Sequence, residues 1–311
     1  MRALSTQAID QVVADLSLKY LPLAKEFLAE AIRIPHDFVD GEDPLCGLSN
    51  HEGPRLNYLM DMIREHNCVA NDEDVFFDGF GNLTWMIEDK DDGIPSEEKR
   101  VIYFDGHSDT VRALRGDWLN TLGGGVDPYL GLTDFSKLDM DAIDHELGWT
   151  VPASDFEEHC VFGRGAADQL AGVVSQMLAT KIMLELKDEG LMRGVIIRSI
   201  ATVAEEDNDG GACMWITREM LKDATPEMIP DVVLLTEGTG ASDVGSLGIY
   251  RGQRGRMQIE VKVTGRSCHG SMPWAGLNPV EFGSEIIKEA KEQYDRLEGF
   301  LDDEVLGQGS R

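Results

Sequence analysis

A histidine and a series of separated carboxylates stand where the apolar segments of this chain end. Gly106-His107-Ser108-Asp109-Thr110 follows Val101-Ile102-Tyr103-Phe104 directly. Asp168, the pair Glu205-Glu206, and Glu237 come later, each beside a strand or helix signal. One imidazole with several carboxylates is a ligand set for metal-assisted hydrolysis, in which a divalent cation acidifies water and polarises a carbonyl.

Each station also has a plainer reading. His107 and Asp109 are two apart on an extended segment, so their side chains point the same way. Asp109 then accepts from one ring nitrogen and leaves the other for a metal, although such triplets also occur as incidental structure. Asp168 follows Gly163-Arg164-Gly165-Ala166-Ala167 at the start of a helix. It either caps that helix or bridges two cations about 3.5–4 Å apart. Glu205 and Glu206 point in different directions, one suited to a metal and its neighbour to general-base work. Asp207 and Asp209 extend the run, and a solvated acidic loop reads equally well. Glu237 in Leu235-Thr236-Glu237-Gly238-Thr239 is either a ligand or a loop acid. What sets these residues apart is their order: each lies at the end of a predicted strand or the start of a helix, and the carboxyl ends of strands are where ligand sites gather in parallel sheets.

The elements that must position them are legible from periodicity. Residues 7–33 and 53–66 read as helices, the first broken or kinked at Pro22 and the second opened by Pro54. Two strands flanking 78–82 read as a hairpin. Strand 100–105, helix 168–187, strand 195–203, helix 211–222 and strand 232–236 then alternate, which argues for an α/β domain. The fold class expected is a mixed, largely parallel sheet flanked by helices. From 257 to 263 apolar and polar residues alternate as in a half-exposed strand, and helix 279–297 follows, the start of a smaller α+β domain. The expected division is 1–255 for the catalytic domain, with an insertion at about 112–160, and 256–311 for the smaller one. The acidic run 88–92 reads as a solvated loop.

Composition narrows the function. A formal net charge of -29 disfavours nucleic acid, whose phosphates would be repelled. No stretch of 18 or more apolar residues suggests a membrane span, and no signal peptide is apparent, so a cytoplasmic protein is expected. Five cysteines without C-x-x-C spacing argue against a disulfide framework or a thiolate zinc site.

Taken together, the segments Gly106-His107-Ser108-Asp109-Thr110-Val111, Gly163-Arg164-Gly165-Ala166-Ala167-Asp168, Thr202-Val203-Ala204-Glu205-Glu206 and Thr236-Glu237-Gly238-Thr239 resemble a known family. Arg251-Gly252-Gln253-Arg254-Gly255, Cys268-His269-Gly270-Ser271-Met272-Pro273 and Gly276-Leu277-Asn278-Pro279 match as well. The family is that of the binuclear zinc hydrolases, which include aminoacylase, acetylornithine deacetylase, succinyl-diaminopimelate desuccinylase and glutamate carboxypeptidase. The resemblance implies a zinc-peptidase-like catalytic domain, a lid or dimerisation domain, and a homodimer. It implies amide hydrolysis in N-acyl amino acids or short peptides with up to two Zn2+, Co2+ or Mn2+ being alternatives. By the same resemblance, His107 and Glu237 are terminal ligands of one zinc, Asp168 bridges, and Glu206 is a terminal ligand of the other. Asp109 orients His107, Glu205 is the general base, and His269 reaches a neighbouring subunit's site to stabilise the oxyanion or hold substrate.

Departures from the family pattern carry expectations of their own. Gln169 stands where the family often has Lys, and Gly238 where it usually has Pro. The family's last zinc ligand is a histidine far downstream, whereas the last histidine here is His269. The chain therefore reads as C-terminally incomplete, with a weaker second metal position and an exposed sheet edge. The alternative reading is a truncated, catalytically weak metal-binding or assembly module.

Overall fold

A computed structural model describes residues 6–34, 52–111, 113, 127–134, 136, 138–141, 145, 160–208, 210–216, 225, 228–238, 248–249, 259–297, 302–303 and 307–308. The chain divides into two units, Met1–Thr239 and Gly240–Arg311.

The first unit is built on a five-stranded mixed sheet. Its strands are β1 (Val75–Phe77), β2 (Leu83–Glu88), β3 (Arg100–His107), β4 (Val195–Thr202) and β5 (Val232–Leu235), in spatial order β1-β2-β4-β3-β5. β3 pairs in parallel with β4 on one side and β5 on the other, while β1–β2 and β2–β4 are antiparallel. The parallel register runs from Arg100 opposite Val195 to His107 opposite Thr202, so His107 is the last paired residue of β3.

Helices α1 (Thr6–Arg33), α2 (Gly53–Glu65) and α3 (Ala171–Glu185) pack on one face of the sheet. Phe27, Ile32, Leu56, Leu59, Ile63, Trp85, Val173 and Met177 form this core. Burying one such side chain stabilises the fold by about 1.5–3 kcal/mol. That packing explains why α1 runs on through Pro22, so that of the break or kink expected there no break occurs: the ring costs about 3 kcal/mol, and Phe27 and Ile32 beyond it are both buried. On the other face, Val101, Tyr103 and Ile200 meet Trp215 of the short helix α5 (Gly210–Trp215), which follows α4 (Glu205–Asn208). The helix expected at 211–222 is described only as far as 216.

Two local expectations are corrected. The acidic run 88–92 is not simply solvated. Lys99, whose side chain is fully buried, pairs with Glu88 at 2.9 Å and Asp92 at 3.3 Å and donates to the Asp89 carbonyl. Asp168 does not cap α3, because the helix begins at Ala171 and Leu170 holds the N-cap position. It sits instead in an irregular turn, Ala166–Leu170, entered through Gly165 at φ 85.

In the second unit, α6 spans Pro279–Leu297, the helix expected from periodicity. The strand expected at 257–263 is not formed over its described part, 259–263. Ile259 and Val261 are exposed there, so alternation has no buried face to serve. Arg266 and Leu277 form an antiparallel bridge, and Asp302–Asp303 (β6) pairs with Gly307–Gln308 (β7). Arg251-Gly252-Gln253-Arg254-Gly255 and most of the insertion at 112–160 lie outside the described residues. Cys68, Cys160 and Cys268 are free thiols. Among the described residues, no helix is long and apolar enough to cross a membrane.

Candidate metal centre

The strand ends bring the candidate residues of the first unit together. Ligand atoms of His107, Asp168 and Glu206 all lie within 4.8 Å of one another. His107 Nε2 is 2.8 Å from Asp168 Oδ1 and 3.8 Å from both Glu205 Oε2 and Glu237 Oε2. One buried imidazole at the end of β3 thus faces four carboxylates that come from two further strand ends and one turn.

The other ring nitrogen is fixed by the backbone. His107 Nδ1 lies 3.1 Å from the Asp109 carbonyl oxygen and 3.4 Å from Asp109 Oδ1. Asp109 does more than face the ring. Its Oδ1 accepts the Glu205 amide at 3.1 Å and its Oδ2 the Glu206 amide at 3.0 Å. One carboxylate therefore ties the end of β3 to the turn after β4.

Protonation follows from this crowding. Burial alone would lower the His107 imidazole, but hydrogen bonds to Asp109 and Asp168 overcome it and push it up to about 11. The same hydrogen bond from His107 holds Asp168 low. Asp109 stays low despite burial, because His107 and the two amides stabilise its charge. Glu206 and Glu237 are both raised, first by burial and then by the charge of Asp168. One nitrogen and several oxygens converging within 4.8 Å form a set that a divalent cation fits.

Close packing holds the Glu237 side. Gly106 lies against Gln176 and Thr236: a Cβ there would stand 2.9 Å from Gln176 Nε2 and 3.0 Å from Thr236 Oγ1. A Cβ on Gly172 of α3 would run into the Thr236 carbonyl oxygen. Thr236 donates its amide to Asp105 O at 2.9 Å and accepts from Gln176 Nε2 at 2.9 Å. Gln169, which stands where Lys is usual, is fully buried, and its Oε1 accepts the His107 amide.

His269 belongs to the second unit, where its Nδ1 lies 2.9 Å from Ser271 Oγ. Sequence reading missed Glu52, Arg55, Asn82, Gln169 and Thr236 as supports of the site. A signal existed for two of them. Glu52 and Arg55 fall in helical phase with Leu56, Leu59 and Ile63, so two charged residues share an apolar stripe.

Similarity to known proteins agrees with the motifs. Residues 251–305 match the M20 peptidase dimerisation domain. The uncharacterized protein YgeY of Escherichia coli (strain K12) is 29% identical over 290 residues, covering 93% of this chain and 57% of YgeY. A probable succinyl-diaminopimelate desuccinylase of Staphylococcus aureus (strain MRSA252) is 29% identical over 191 residues, 60% of this chain and 42% of that protein. The chain thus spans about half the length of the curated relatives it matches. Among solved structures, the di-peptidase Dug1p from Saccharomyces cerevisiae is 13% identical, with a TM-score of 0.49 over 74% of this chain and 41% of that one.

Proposed function

We propose that this chain supplies the metal centre of a hydrolase that cleaves an amide bond in N-acyl amino acids or short peptides. The observation that carries the reading is the convergence of His107, Asp168 and Glu206 within 4.8 Å, with Glu205 and Glu237 at 3.8 Å from the same ring nitrogen. The resemblance to desuccinylases supports the substrate class.

On this reading His107, Asp168, Glu206 and Glu237 hold one or two divalent cations, zinc first. A cation bound there supplies Lewis-acid polarisation of the scissile carbonyl and makes water acidic enough to lose a proton near neutral pH. Glu205, 41% exposed at its side chain, is accessible to substrate and acts as general base, later returning the proton to the leaving amine. Asp109 keeps His107 in one orientation and fixes the Glu205–Glu206 backbone. His269 keeps the role that the resemblance implies, and the dimerisation domain makes a homodimer the expected assembly.

The test is elemental analysis of the purified protein alongside turnover of N-succinyl and N-acetyl amino acids. Bound metal and metal-dependent turnover are expected. Glu205→Gln should lower turnover by roughly 10²–10⁴-fold while metal content stays constant. Turnover that survives this substitution would remove Glu205 from the mechanism.

A further inference from the structure

The turn after β4 is held in an unusual way. Four consecutive amides, Val203 to Glu206, all donate to side-chain oxygens. Val203 donates to Asn82 Oδ1 at 3.0 Å, Ala204 to Glu52 Oε1 at 3.0 Å, and Glu205 and Glu206 to the two oxygens of Asp109. Ala204 has φ 54, a left-handed conformation that L residues with a Cβ adopt at a cost. The backbone in front of Glu205 therefore stays in that shape because the surrounding acceptors hold it there.

Glu52 is 1% exposed and stands at the N-cap of α2. Arg55, one turn further along, is fully buried. Its guanidinium donates to the Ser108 carbonyl at 2.7 Å, to Ala31 O at 3.0 Å and to Ile34 O at 2.8 Å. Ser108 lies between His107 and Asp109, and its amide and hydroxyl both donate to Thr202 O. The first turn of α2 thus grips both backbone segments that carry the cluster: 107–109 through Arg55 and 204–206 through Glu52. A buried carboxylate and a buried guanidinium are costly to place in a core stripe that aliphatic residues would fill at no such cost.

We infer that Glu52 and Arg55 are positioning residues of the metal centre. Glu52 sets the left-handed turn at Ala204 from which Glu205 and Glu206 reach the cluster, and Arg55 holds the 107–109 backbone that carries His107 against that turn. The role rests on the metal-centre reading above.

The experiment measures Zn2+ affinity by competition with a chromophoric chelator, with circular dichroism and thermal unfolding on the same samples. Glu52→Ala should weaken zinc binding roughly 10–100-fold, the usual effect of losing a residue that orients ligands. Glu52→Gln keeps an oxygen for the Ala204 amide and should bind within about threefold of the parent, a rescue that a purely electrostatic or bulk-stability role of Glu52 does not give. If Glu52→Ala does not fold, Glu52→Asp takes its place. Its shortened side chain withdraws the oxygen while keeping the charge, and the same loss is expected. Arg55→Lys, which cannot span three carbonyls, should also lose affinity. Unchanged zinc affinity in Glu52→Ala or its Asp substitute overturns the inference, as does equal weakening in Glu52→Gln. A parent that binds no zinc overturns the metal-centre reading itself, and the role of α2 falls with it.

Discussion

β4 and β5 lie on either side of β3, run parallel to it, and are both rich in aliphatic residues. β4 is paired on both edges and buries Ile196, Ile197, Ile200 and Ala201. β5 is paired on one edge among the described strands, and Val232, Val233, Leu234 and Leu235 are each about half exposed. The contrast continues at both ends of each strand. Asp92, paired with buried Lys99, accepts the Gly194 amide where β4 begins, whereas Asp231, paired with the exposed Arg100, accepts the Val101 amide where β5 begins. At the far ends, four amides and three side chains fix Glu205 and Glu206, while Glu237 follows Thr236, which is held by hydrogen bonds to Asp105 and Gln176 and by close packing against two glycines. Similar strands thus present their carboxylates with different firmness. On the β5 side, a strand composed for burial on both faces is left half exposed among the described residues.

Neighbouring residues in sequence give the sharpest test of this difference. Lys99→Met leaves Glu88 and Asp92 without their buried cation and should cost about 3–5 kcal/mol. Arg100→Met breaks a surface pair and should cost under about 1 kcal/mol. Urea unfolding of both variants measures the gap, and equal losses would erase the distinction between the starts of β4 and β5.

Core truncation probes the strands themselves. Ile197→Ala in β4 should cost about 2–5 kcal/mol through transfer and cavity, and Leu234→Ala in β5 about 1 kcal/mol, since half its side chain already meets water. A loss at Leu234 as large as that at Ile197 would mean that β5 is covered in solution.

Gly172→Ala addresses the far end of β5. Its methyl must displace the Thr236 backbone and with it Glu237, so zinc affinity should fall roughly 10-fold, about 1.4 kcal/mol. Gly190→Ala is a control with open space around it, although its φ of 82 is itself unfavourable for alanine. Retained affinity in Gly172→Ala would show that Glu237 is not a ligand held by this packing.

The smallest effects come from the aspartates where the two strands begin. Both carboxyls lie below their usual value, Asp92 first through the Gly194 amide and Asp231 first through the Val101 amide. A lowered native value means stability that is present above about pH 4 and lost as pH falls through that lowered value. Asp92→Asn and Asp231→Asn should therefore melt below the parent at pH 7. The difference should close below about pH 4, with Asp92 showing the wider gap because Lys99 beside it is buried. A gap that persists at pH 2.5 would contradict a charge-based anchor.

Much of the architecture was legible residue by residue. The apolar stripe of α2, the hairpin around 78–82, the alternation that gives β3, α3, β4 and β5, and α6 at Pro279–Leu297 all follow from periods of 3.6 and 2. The acidic stations were legible because each stands where such a period stops. The irregular turn at Asp168 was not, since the glycines of 163–165 announce a turn without fixing where the helix begins. The strand expected at 257–263 is not formed over its described part, 259–263, for a related reason: alternation declares which residues would face a core, and among the described residues Ile259 and Val261 stay exposed.

The sequence by itself determined most of the local elements of the first unit and that His107 and the acids stand at their ends, because propensity and periodicity act over a few residues. Only the tertiary structure decided how those ends converge on one imidazole and what holds them there. Glu52 and Ala204 are 152 positions apart, and Asp109 meets Glu205 across 96. Such pairings are set by sheet order and helix docking, and no local pattern in the chain encodes them.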